Sequence, residues 1–165
     1  MERTGWQRTW IRILLTALTA AVMGMIYCFS MEDAEHSDQT SGQLSEAVIR
    51  IAYPDFEKKT PDEQQRIFDD VQHIVRKTAH FMEYMLLGFL MRLCMESWFG
   101  RKKGMTPASW GAATLYACTD EMHQLRIDGR SGQWTDVAID SFGVFAGTMI
   151  AELIIYFALK KHTKA

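Results

Sequence analysis

Nine polar side chains in this sequence stand at spacings that suit shared chemistry. Lys77, His80 and Tyr84 are three and four positions apart, which puts them on one face of a helix. Asp120 with Gln124, and Asp136 with Asp140, repeat the four-residue step; Glu121 adjoins the first pair and Arg130 lies between the two. Lys77 and Arg130 suit a phosphate or carboxylate, and His80 exchanges protons near neutral pH. For hydrolysis or group transfer, His80 or Glu121 would act as general base with Asp136 as its orienting partner. No nucleophile stands out, so the residues fit binding without chemistry as well as catalysis. His80 with Asp120, Glu121 and Asp136 is also a nitrogen and oxygen set for a divalent metal, but one histidine is a thin donor set, and neither metal nor cofactor is expected. His123 is expected to be a solvated side chain at a loop edge, and His36, His73 and His162 belong to no constellation.

These residues need elements to position them. The chain of 165 residues contains no Gly/Ser-rich or Pro-rich divider and is treated as a single domain, 1–165. Its near-neutral hydropathy averages strongly apolar segments with a very polar one over 30–78. The 18 basic and 20 acidic residues nearly cancel, and the basic ones cluster in short runs beside apolar segments, which argues against a nucleic-acid partner. Cys28, Cys94 and Cys118 all fall in apolar stretches, so no disulfide or metal cluster is expected from them.

A membrane span takes about 20 mostly apolar residues. Ile13 to Phe29 carries no charge and follows Arg3, Arg8 and Arg12. A cleaved signal peptide begins similarly, but the run is long, no small-x-small site closes it, and Tyr27 before Cys28 departs from a lipoprotein signal; an uncleaved anchor is expected. Further spans are read at 79–99, 105–123 and 137–159, giving four with the first at about 11–29. The second carries His80, Glu83, Arg92 and Glu96 around an apolar centre, and the fourth carries Asp140 and Glu152. A soluble helical bundle is the alternative for these last three.

Basic residues are retained on the cytoplasmic side, and Arg3/Arg8/Arg12, Arg101-Lys102-Lys103 and Lys160-Lys161-Lys164 alternate as four spans with both termini inside require. Residues 30–78 and 124–135 then lie outside. Thr60-Pro61-Asp62-Glu63 has the form of a capping box. Ile67, Phe68, Val71, Ile74 and Val75 follow at helical spacing, predicting an amphipathic helix at the outer interface or one running directly into the second span. The stretch from Met31 to Gly42 reads as a polar loop. The expected fold is therefore an all-α integral membrane bundle of four transmembrane helices with an extracytoplasmic amphipathic helix.

On this topology all nine polar residues sit near the outer interface. Charges at membrane depth cost several kcal/mol each unless paired or wet, so they are expected to converge on a pocket, either for a ligand or as pairs that fix helix packing. Gly129-Arg130-Ser131-Gly132 reads as a turn that returns Arg130 over that pocket. Gly143-x-x-x-Gly147 should permit close helix approach, and packing within the chain is favoured over a dimer. Arg92 and Glu152 lie about 18 and 22 Å below the outer starts of their spans, at 1.5 Å per residue, and are candidates to pair.

Lys77-x-x-His80-x-x-x-Tyr84, Asp120-Glu121-x-x-Gln124 and Gly129-Arg130-x-x-x-x-x-Asp136, followed by a glycine-containing apolar helix, closely resemble the pattern of VanZ-like membrane proteins. The resemblance covers roughly Lys77 to Gly147; the first span and the polar segment after it match no motif of the family. It implies a multi-pass protein of the bacterial cytoplasmic membrane with a link to the cell envelope, because the name-giving member is associated with resistance to the glycopeptide antibiotic teicoplanin. Membrane lipids, and an anionic lipid-linked or cell-wall ligand, are the expected partners.

Overall fold

A computed structural model of the chain describes residues 5–31, 34–125 and 134–163, with side chains placed in 8–31, 41–125 and 134–160. Five α-helices follow in order: α1 Gly5–Ser30, α2 Ala34–Ala52, α3 Pro61–Phe99, α4 Met105–Gln124 and α5 Trp134–Thr163, with a short 3₁₀ turn at Phe56–Lys58. No strand occurs among the described residues.

Local sequence explains where α3 begins and ends. Thr60 caps it: its backbone N–H and hydroxyl donate to Glu63 Oε2 at 3.0 and 2.9 Å, while its hydroxyl oxygen accepts from the Glu63 N–H. Pro61 follows at the first helical position, where its missing N–H costs nothing. Gly100 and Gly104 both take positive φ, 69° and 90°, and close the tight turn between α3 and α4.

The amphipathic helix is not a separate element but the first half of α3, which runs unbroken for 39 residues, about 58 Å at 1.5 Å per residue. That is about twice the hydrocarbon thickness. Residues 31–42 correct the expectation of a polar loop: from Ala34 they belong to α2. The polar composition hid a narrow buried stripe, in which Ser45 and Ile49 are buried and Gly42 packs against Phe68 of α3. Gln72 Nε2 donates to Ser41 Oγ at 3.1 Å and ties the same two helices.

Helix directions alternate. The end of α1 meets the end of α4 through Ser30 and Asp120, whereas its beginning meets the end of α3 through Arg12 and Ser97. Ser109 near the start of α4 reaches Met95 near the end of α3, and α3 and α5 run parallel, with Lys77 beside Asp136 and Arg92 beside Glu152. The α3/α5 seam is built on glycine: a Cβ on Gly88 would collide with the Val144 backbone, and Cβ atoms on Gly143 and Gly147 would collide with the carbonyl oxygens of Phe81 and Met85. Gly143-x-x-x-Gly147 thus serves packing within the chain. Tyr84, Leu87, Ala113, Ala117, Val144 and Ile26 form the core around this seam.

Two helices, over Arg8–Ser30 and Trp134–Lys160, are long and apolar enough to cross a membrane. In α3 most of the charged residues in its first half are exposed, whereas Arg92 in its second half, at 1% exposure, and Asp120 in α4, at 4%, are turned inward. Arg92 donates through Nε and Nη2 to Glu152 Oε2 at 3.0 and 2.7 Å, the pairing considered from their depths, and through Nη1 to Glu96 at 2.9 Å. Arg101 and Thr106 complete the shell around Glu152 at 2.6 and 3.1 Å.

Candidate functional site

At the opposite end of the bundle, one carboxylate oxygen gathers three helices. Asp120 Oδ2 accepts hydrogen bonds from Ser30 Oγ of α1 at 2.7 Å, from Tyr84 Oη of α3 at 3.0 Å and from Gln124 Nε2, one turn on in α4, at 3.2 Å. Gln124 Nε2 also lies 3.2 Å from Ser30 Oγ. All four residues are buried, so these bonds form away from competing water.

Asp140 lies on the α5 side of this knot and is 1% exposed. Its charged neighbours are Glu121, Asp120, Asp136 and Glu83. Lys77 pairs with Asp136, which also accepts from the Thr135 hydroxyl. His80, half-buried, stands on α3 between Lys77 and Tyr84, and Glu121 is buried beside Asp140. The carboxylates at this end therefore outnumber its described cations. Asp120 Oδ1 and Asp140 Oδ1 are both buried and have no hydrogen-bond partner among the described residues.

A cleft of about 390 Å³ opens between α1 and α4 beside the knot, with Asp120 in its wall together with Tyr27, Tyr116, Thr119, Met122 and His123. His123 is not the solvated loop-edge residue expected: it belongs to the last turn of α4, is half-buried, and its ring centroid lies 5.1 Å from that of Tyr27. Helix α4 extends through Gln124, so the acidic pair and His123 share its final turn.

Of the nine residues singled out by spacing, Tyr84, Asp120 and Gln124 join in one hydrogen-bonded knot, Lys77 and Asp136 form an ion pair, and Glu121 and Asp140 face one another electrostatically. Arg130 and the Gly129–Gly132 turn lie outside the described residues. Among those described, no group of three or more His, Cys, Asp or Glu side chains is arranged to hold a metal ion. Sequence reasoning missed Ser30 and Glu83. Ser30 had a usable signal, since it is the first polar residue after the charge-free run and ends its helix at the depth of Asp120; Glu83 is one of several charges in α3 and had none.

An all-helical membrane protein with a buried polar centre at one end of its bundle is the class that this fold and site define. The family model described as VanZ/LLP1 matches residues 15–156, and the chain belongs to that family. No curated protein and no solved structure matches it.

Proposed function

We propose that the chain is a four-span protein of the bacterial cytoplasmic membrane, with both termini cytoplasmic, whose outer polar centre binds an anionic lipid-linked or cell-wall ligand. Alternation of α1, α3, α4 and α5 supports four spans. So does the apolar side chain that each turns outward, as Leu14, Leu86, Leu115 and Phe142 do; in water such a belt would be an aggregation liability, whereas in hydrocarbon it costs nothing. The basic turn Arg101-Lys102-Lys103, at the end opposite the site, supports the orientation.

One observation carries the ligand: Asp120 and Asp140 each keep a buried oxygen with no donor among the described residues. A buried acceptor left unfilled costs about 1–3 kcal/mol, so a ligand that brings hydroxyl or ammonium donors is favoured there. Its anionic group falls to Lys77 and, from the sequence pattern, Arg130, with Tyr84 and Gln124 as further ligand-binding residues. An envelope precursor with sugar hydroxyls beside phosphate unites both kinds of group, and such a ligand fits the family link to glycopeptide resistance. Chemistry, where it occurs, uses His80 or Glu121 as base and Asp136 to orient it; His80→Ala or Glu121→Gln then abolishes turnover and spares much of the affinity.

A purely architectural role is the second reading, favoured by the three donors that tie α1, α3 and α4 onto Asp120 Oδ2. Native mass spectrometry of protein gently extracted from its own membrane separates the two. A phosphate-bearing lipid that accompanies the wild type and is lost from Lys77→Ala/Arg130→Ala is the expected result. Equal lipid profiles from two well-folded proteins would overturn the ligand.

A further inference from the structure

The end of the bundle opposite the acidic centre holds a groove of about 350 Å³ between α1 and α3. Its apolar lining is Ile11, Leu15 and Leu93, and its basic lining is Arg8 and Arg12. Arg12 is fixed in place: Nε donates to the Ser97 carbonyl at 2.8 Å, and the guanidinium carbon lies 5.4 Å from the centroid of the Trp98 ring. Trp98 is itself oriented by its Nε1–H, which donates to Thr16 Oγ1 at 3.0 Å. A guanidinium has five N–H donors, and the Ser97 bond uses one. Glu96, the single acid lining the groove, is already engaged by Arg92. Two arginines therefore set the field at the mouth of an apolar channel.

Trp98 and Phe99 are half exposed at this same level, where aromatic side chains mark the boundary between headgroups and hydrocarbon. A ligand that matches the groove carries a negative group at the boundary and an alkyl chain running into the hydrocarbon. We propose that this groove is a binding site for one anionic glycerophospholipid, its phosphate held by Arg8 and Arg12 and its acyl chain laid along Ile11, Leu15 and Leu93. The site rests on the membrane reading of the bundle but not on any ligand at the opposite end. A soluble phosphate lacks the chain and leaves the apolar lining unfilled, so the lipid is the favoured occupant.

The test is native mass spectrometry of the full chain in detergent, titrated with phosphatidylglycerol or with phosphatidylcholine of the same acyl composition. One phosphatidylglycerol should be retained in preference to phosphatidylcholine. Arg8→Gln should weaken retention about fivefold, and Arg8→Gln/Arg12→Gln about 30-fold, as expected for one and two basic residues at a headgroup. Lys102→Gln/Lys103→Gln removes equal charge from the neighbouring turn and should leave retention unchanged. Leu15→Trp keeps both arginines but fills the channel, and should also lose the lipid; this variant leaves the Arg12–Ser97 anchor intact and guards against a folding defect in the double arginine change. Glycerol phosphate in excess should not displace the lipid. Equal retention of the two lipids, or equal losses from the lysine and arginine variants, would overturn the site in favour of diffuse surface charge.

Discussion

At the scale of single residues, the two ends of the bundle treat buried charge in opposite ways. Arg92 is almost wholly buried, yet it is matched by Glu152 and Glu96, and Glu152 in turn by Arg101 and Thr106. Removing one partner of a buried pair leaves the other uncompensated, so Arg92→Met should destabilise the fold by about 3 kcal/mol. Thermal melting in detergent reads this directly, and a second change, Glu152→Gln, should recover part of the loss. The acidic end has no such closure, because Asp120 and Asp140 each retain a buried oxygen without a donor among the described residues. Spacing was enough to find seven of the residues that meet there, since period and depth together dictate which side chains face one another. It missed Ser30, whose place at the end of the charge-free run signals its depth, although not that α1 ends beside α4.

At the scale of elements, α3 and α5 are bound by backbone proximity. Gly147 has no room for a Cβ against the Met85 carbonyl, and the obstacle is backbone and not a movable side chain. Gly147→Val should therefore lower the yield of folded protein sharply and reduce its melting temperature, whereas Gly111→Ala, in open space on α4, should leave both unchanged. The beginning of α3 gives a second test. Hydrogen bonds from the Thr60 backbone and hydroxyl hold the Glu63 carboxyl below the usual carboxylate range. A group whose folded value is depressed contributes its stability above the ordinary value of 4.5 and loses it as pH falls through the lower folded value. Protection factors of the amides in the first turns of α3, taken relative to the intrinsic exchange rate at each pH, should consequently fall in mild acid. Thr60→Ala should cost about 1 kcal/mol at neutral pH and remove only part of this acid sensitivity, because the backbone N–H of residue 60, the larger cause, still donates to Glu63. The capping box, the two apolar helices α1 and α5, the end of α3 and both ends of α4 were legible, because caps, turns and long apolar runs are local signals. Helix α2 was not: its sequence is polar on most faces, and only packing against Phe68 and Gln72 selects the helix.

At the scale of the whole molecule, alternating helix direction and a common polar end give a bundle with two distinct faces. Fusion of a periplasm-active reporter within residues 53–60 should give activity, and fusion after residue 163 should give none; the reverse pattern would invert the orientation. Family membership and two apolar helices point to the membrane, and the proposed ligand rests on the buried oxygens of Asp120 and Asp140 that have no donor among the described residues. Asp140→Asn tests this most directly, because it replaces a buried acid that is crowded by four other carboxyl groups and has an oxygen without a donor among the described residues. Melting temperature and co-purified ligand are measured on the same detergent-extracted sample. We predict that Asp140→Asn melts at or above the wild-type temperature and loses the phosphate-bearing ligand, as expected when a strained functional group is relieved. A variant that melts well below a wild type devoid of ligand would contradict a binding site and make Asp140 part of the scaffold.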